Sequence, residues 1–188
     1  MKTTKLLFLF LSIIFLSTCK DNITQPIDEG GPGIIVPGIS VEGVKLGDTK
    51  ETVEAKLGKP TSVGWADGIY RSWRLYSYAE GTRFEPHVKL QFYFIDIIDN
   101  GNNYGPVDWI GIGEAYKGKT KEGIGIGTAL EKVHQVYGLP EETFLSEGII
   151  TDKYCLNGKK LEIGYRDSLI IGMSIGYFMP LPEDNPCK

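Results

Sequence analysis

The sequence predicts an α+β fold in which two tandem units, each one short helix followed by an antiparallel β-meander, form a layered sheet with the helices on one face. Three observations lead there. The chain matches itself at an offset of 80, with Glu42-Gly43 to Lys59-Pro60 lying over Glu122-Gly123 to Leu139-Pro140 and seven identical positions. Both copies carry the start and stop signals of a short helix. Both then continue into runs rich in aromatic and β-branched residues, the composition of strands.

The helices come first. Asp48 and Thr128 read as N-caps, whose side-chain oxygens accept from free backbone donors, and Glu51 and Glu131 three positions on complete capping boxes. Val53 with Leu57, and Leu130 with Val133 and Tyr137, make an apolar stripe. Gly58 and Gly138 stop the helices in a conformation that suits glycine, and Pro60 and Pro140 prevent a restart. At about nine residues each, such helices need tertiary packing to persist.

Strands are expected over Ile69 to Tyr78, Val88 to Asp96 and Val107 to Ile112, with counterparts at Ile149 to Leu156, Lys160 to Tyr165 and Leu169 to Phe178. Asn157-Gly158 is a two-residue hairpin signal. Leu90, Phe92 and Phe94 lie over Leu161, Ile163 and Tyr165, and Ile110 and Ile112 over Ile171 and Met173. These positions should face the helices. Alternation then puts Lys89, Gln91, Tyr93 and Trp109 on the opposite, open face, where they are the candidate partner-binding residues. Six strands edge to edge make the expected sheet.

Outside this region, Met1 to Lys5 is charged, Leu6 to Leu16 apolar, and Ser17-Thr18-Cys19 small and polar, the order of a signal peptide over 1–18. The apolar run is too short to span a bilayer, which takes about 20 residues. Leu16-Ser17-Thr18-Cys19 resembles the bacterial lipobox, which implies diacylation of Cys19 and cleavage before it. Each buried CH2 of an acyl chain contributes about 0.8 kcal/mol, so two or three chains suffice as an anchor. Residues 19–39, with Pro26, Gly30, Gly31, Pro32, Gly33, Pro37 and Gly38, read as a tether that spans about 60 Å when extended. The two units then cover 40–116 and 117–188, the second with a C-terminal tail. Lys20 after Cys19 resembles lipoproteins sent to the outer membrane, so the expected place is the cell envelope, facing periplasm or surface.

Cleavage before Cys19 leaves 18 basic against 24 acidic residues, a formal charge of −6. An acidic surface repels phosphates, so nucleic acid is not an expected partner. Cys155 and Cys187 remain as a disulfide pair or as a buried free thiol and a loose tail cysteine. His87 and His134 are the two imidazoles, 47 positions apart, and the common hydrolase and zinc motifs do not occur. Gly123-Ile124-Gly125-Ile126-Gly127 has Thr128 where a nucleotide fingerprint needs glycine, and it reads as an apolar lead-in to the second helix. Asp96 to Asn103 suggests a calcium loop, but Ile98 and Val107 fall where oxygen ligands are required, so it reads as a hairpin loop. No cofactor, metal or nucleotide is expected, and no enzymatic activity.

Gly47-Asp48-Thr49, Val53 and Leu57-Gly58-Lys59-Pro60 in one copy, with Gly127-Thr128, Val133 and Tyr137-Gly138-Leu139-Pro140 in the other, resemble the SmpA/OmlA (BamE) family of outer-membrane lipoproteins. The doubling resembles the β-lactamase inhibitor protein fold. Both resemblances imply a non-catalytic protein that binds other proteins, as an outer-membrane assembly accessory or an enzyme inhibitor. The alternative is a carrier of a small ligand or lipid, with a pocket between sheet and helices lined by Phe92, Phe94 and Ile112.

Overall fold

A computed structural model describes residues 33–67, 72–81, 86–96, 104–156 and 158–176. The expected signal peptide, Cys19, the expected tether up to residue 32, the ends Ile69 and Phe178 of two expected strands, residues 97–103, Asn157 and the tail with Cys187 lie outside them. Three two-residue strands come first, β1 (Ile35–Val36), β2 (Ser40–Val41) and β3 (Val44–Lys45), paired as a small antiparallel sheet. Residues 33–39, inside the stretch read as tether, therefore belong to the fold. Ile35 is buried, and its N–H donates to the Lys119 carbonyl at 3.0 Å.

Helix α1 (Lys50–Leu57) leads into β4 (Ser62–Asp67), β5 (Ser72–Gly81), β6 (Pro86–Asp96) and β7 (Tyr104–Ile112). Helix α2 (Leu130–Tyr137) leads into β8 (Glu142–Ser146), β9 (Ile149–Leu156), β10 (Lys159–Arg166) and β11 (Leu169–Gly176). All eight strands join one antiparallel sheet in the order β4-β5-β6-β7-β11-β10-β9-β8.

This overturns the α+β expectation of helix-plus-three-strand units. The chain is mostly β, an eight-stranded and a three-stranded sheet with two eight-residue helices among the described residues. Beyond the three short strands of the small sheet, the strands that the sequence does not reveal are the two edges of the large one, β4 and β8. Every residue of β8 is exposed, and β4 leaves Val63 and Trp65 each 56% exposed, so neither carries the buried alternation that marks a strand.

The helix starts also differ from expectation by one residue. Thr49 caps α1, accepting from the Thr52 N–H, and Ala129 stands at the cap of α2 without a side-chain bond. Asp48 and Thr128 hold the preceding turn instead, accepting from the N–H groups of Lys45 at 3.0 Å and Gly125 at 3.1 Å. Their main chains are already committed to the sheet. Gly47 N–H and Asp48 C=O bond Val107, and Gly127 N–H and Thr128 C=O bond Ile170. A residue held in that way cannot also begin a helix.

Both helices cover one face of the large sheet. Val53 and Val133 are fully buried in a single cluster with Phe92, Phe94, Ile110, Leu161, Ile163 and Ile175, which the small sheet extends through Ile35, Val41 and Val44. Full burial of one valine contributes roughly 1.5–2 kcal/mol. Polar clamps fix each helix further. Tyr76 Oη donates to Glu54 Oε1 at 2.7 Å and Tyr78 Oη to the Gly58 carbonyl at 2.9 Å. At the corresponding strand position in the other half, buried Asp152 meets His134 Nε2 at 2.9 Å and accepts from Thr143 Oγ1 at 2.6 Å. Burial, and then the charge of Glu54, push the Tyr78 hydroxyl up to about 12.

Gly58 and Gly138 sit at φ 77° and 81° with extended ψ, a region that only glycine occupies without strain. Gly58→Ala and Gly138→Ala are each expected to lower stability by about 1–3 kcal/mol in urea unfolding. Asp152→Ala removes the carboxylate that ties His134 of α2 and Thr143 of β8 to the sheet and should lower it by about 1–3 kcal/mol in the same measurement.

Candidate functional site

Opposite the helices the large sheet is open, and the register fixes what it displays. Tyr93 on β6 pairs directly with Trp109 on β7, so both project to that face with ring centroids 4.2 Å apart. Trp73 meets the Tyr93 ring edge-on at 6.5 Å and donates its Nε1–H to Asp108 Oδ2 at 3.0 Å. Tyr93 Oη donates to Gln91 Oε1 at 3.2 Å, and Gln91 Nε2 reaches Ser77 Oγ at 3.5 Å. Burial raises the Tyr93 hydroxyl above the ordinary tyrosine range, so it remains a donor at neutral pH. Trp73, Tyr93 and Trp109 thus form one ridge of rings, with Tyr93 tied to Gln91. Lys89 stands one pleat further along and is ion-paired with Glu80.

Beside the ridge lies a trough of about 310 Å³, crossing the β7–β11 seam, which the sequence did not reveal. Its floor is Gly111, Gly164 and Gly172 on three adjacent strands. Its walls are Trp109 and Gln91 on one side and Ile149, Thr151 and Ile171 on the other, with Glu162 and Ser174 between. Ile171, expected in the core, lines this face because β10 and β11 bulge at Gly164/Tyr165, and Ile110 and Ile112 correspond to Met173 and Ile175.

The three floor glycines have no structural need to be glycine. None has a positive φ, and a Cβ would meet nothing nearer than 3.5 Å at Gly111 and Gly164 or 3.6 Å at Gly172, ordinary contact distances. Glycine weakens a strand interior and often marks close approach by another molecule. The registers pair Gly164 with Gly172 at the position where Tyr93 pairs with Trp109. One half of the face is thus built up with rings and the other left hollow. That contrast between matched positions was the available sequence signal.

Other expected features resolve differently. Phe92 and Phe94 are fully buried against the rings of Tyr78, Tyr76 and Tyr104, at 5.0 to 5.8 Å, so this packing gives no support to a carrier pocket there. Ile112 is buried with them. A larger groove near α1, about 570 Å³, is lined by Lys56, Leu57, Tyr78 and Tyr116 among others, and several of its polar groups are engaged: Lys56 with Asp48, Lys89 with Glu80, and Glu42 with Tyr116 Oη at 2.7 Å. His87 is exposed on β6, and His134 belongs to the clamp of α2. The glycines before α2 serve the fold, since a Cβ at Gly125 would lie 2.7 Å from the Gly118 carbonyl. Among the described residues no group of three or more metal-binding side chains gathers. Cys155 is disulfide-bonded, and both other cysteines lie outside the described residues.

The fold and face define a mostly-β protein with one covered and one open side. No protein-family model matches the chain and no curated protein matches it, so the likeness to SmpA/OmlA rests on the motif residues alone. Solved structures do resemble it. A DUF4309 family protein of Bacillus subtilis is 16% identical over 77% of this chain and 87% of its own, with a TM-score of 0.46. A cysteine-rich secretory protein of Staphylococcus aureus is 9% identical over 80% of this chain and 49% of its own, with a TM-score of 0.47. A candidate β-lactamase inhibitor protein of Streptococcus mutans is 10% identical over 69% of this chain and 82% of its own, at 0.25. Likenesses at this level say nothing of what the chain binds.

If the floor glycines are kept for a ligand and not for the fold, replacing them should not harm it. Gly164→Ala and Gly172→Val are expected to leave stability unchanged or raise it by up to about 1 kcal/mol in urea unfolding. A loss of that size or more would make them structural.

Proposed function

We propose that the chain is a lipid-anchored protein of the cell envelope that acts without catalysis, binding another protein through the open face of its large sheet. The observation that carries this reading is the ridge of Trp73, Tyr93 and Trp109 beside a glycine-floored trough, on a sheet whose other face the helices already cover. Aromatic side chains bury much area at little entropic cost and dominate binding energies in protein interfaces. The Gln91 to Tyr93 bond holds the ridge in one arrangement, which lowers the entropy lost on docking. Cys19 and the residues after it supply the anchoring half of the reading, with acyl chains in a membrane, the outer one favoured by Lys20, and the domain held beyond it. An outer-membrane assembly accessory and an inhibitor of an envelope enzyme both use a surface of this kind.

Crosslinking in intact cells, read by mass spectrometry, tests it on the native protein beside Tyr93→Ala/Trp109→Ala and Cys19→Ala variants. Truncating a central aromatic costs about 2 kcal/mol or more of binding, so the double variant should lose capture by well over tenfold while its thermal unfolding stays cooperative. The Cys19→Ala form should leave the membrane fraction. Undiminished capture by the folded double variant sinks the open-face reading. Membrane retention of the Cys19→Ala form sinks the anchor.

A further inference from the structure

The trough has a chemical preference, and it lies with Glu162. This residue stands on β10 between the glycine floor and β9, and the described residues give its carboxylate a single weak bond, from Ser174 Oγ at 3.4 Å. Lys153 lies directly opposite it across the β9–β10 pair. That ammonium is nonetheless turned away, bonded to Glu142 Oε2 at 2.8 Å and held over the Phe144 ring at 4.7 Å. No ion pair reaches Glu162 among the described residues. Among the described residues the carboxylate therefore faces an apolar trough without an ion-pair partner.

We propose that the trough receives the side chain of a basic residue, arginine foremost, presented by the partner protein. This rests on the open-face reading and adds the chemistry of the partner's contact. The aliphatic stem lies along the floor of Gly111, Gly164 and Gly172, where absent side chains let it approach the backbone, and against Ile149 and Ile171. The cationic head sits between the Glu162 carboxylate and the Trp109 ring. Arginine combines a charge-assisted fork toward a carboxylate with stacking on an aromatic face, and its stem covers apolar surface. An aliphatic or phenyl side chain would fill the same space but leave Glu162 desolvated and unpaired. The formal charge of −6 after cleavage before Cys19 favours the approach of a basic partner surface.

The test is an amide NMR titration of the full chain in detergent micelles with the peptide acetyl-Gly-Thr-Arg-Thr-Gly-amide, beside its citrulline counterpart, which keeps the shape and removes the charge. The arginine peptide should shift the Gly111, Gly164 and Gly172 amides and bind about tenfold tighter than the citrulline peptide. Glu162→Gln should reduce arginine binding to the citrulline level, and Gly172→Val should abolish it. Equal binding of the two peptides, or shifts confined to residues away from the floor, overturns the inference. The open-face reading is judged separately. Loss of capture by the Tyr93/Trp109 variant with no arginine preference removes the trough chemistry alone, whereas undiminished capture removes the open face itself.

Discussion

The pairing of β7 with β11 is the constraint on which the other features depend. Ile112, Gly111, Ile110 and Trp109 lie opposite Met173, Ser174, Ile175 and Gly176, so two four-stranded meanders become one sheet. Alternation along both strands sends Ile110, Ile112, Met173 and Ile175 to the covered side and joins the two halves of the core there. The same alternation sends Trp109, Gly111, Ser174 and Gly176 to the open side. Gly176 answers a local demand, since a Cβ there would lie 2.6 Å from Trp109 Cδ1. The indole can lie across the seam because the strand beside it is bare. The trough therefore follows from the join itself.

On the covered side, chemistry differs between the halves while geometry is kept. Tyr76 and Asp152 occupy corresponding strand positions, opposite Phe92 and Ile163, and each reaches up to a helix side chain, Glu54 in one half and His134 in the other. A hydroxyl–carboxylate bond and an imidazole–carboxylate bond do the same work, since a helix of eight residues has little intrinsic stability and must be held from below. On the open side nothing has to be held, and the halves diverge into ridge and hollow. Divergence is greatest where packing makes least demand, which is where a binding surface can be altered without cost to the fold.

Which parts of this were readable in the sequence follows from burial. Strands β9 and β10, with Tyr154, Leu161, Ile163 and Tyr165 buried, match the expected spans within a residue at either end. The edge strands β4 and β8 escaped because exposed residues impose no period, and with them went the expected fold class. The helix starts were misplaced by one residue because a bond from Val107 or Ile170 to the preceding main chain is not a local signal. The shift of Ile171 to the open face depends on a bulge, which alternation cannot anticipate. Alternation alone is enough to put Tyr93 and Trp109 on the open face, where the register places them. The trough beside them needed the register of three strands from both halves.

A sheet of this kind offers a partner two kinds of surface, its edges and its open face, and the residues distinguish them. Edge β8 is five residues long, with Glu142 bonded to Lys153 of the next strand, and on edge β4 the Trp65 ring is covered by the Arg74 guanidinium at 3.5 Å. Short strands and charges over apolar side chains are devices that discourage pairing with another chain. The open face shows the opposite treatment. Among the described residues no cation is stacked on Tyr93 or Trp109, Lys89 and Lys153 are bonded to carboxylates away from the trough, and Glu162, with no ion pair, stands beside a floor with no side chains. A surface kept for solubility would place the charges of Lys89 and Lys153 over Trp109 and Glu162. They are instead engaged with Glu80 and Glu142, and that arrangement leaves the centre of the face free to be covered by another molecule.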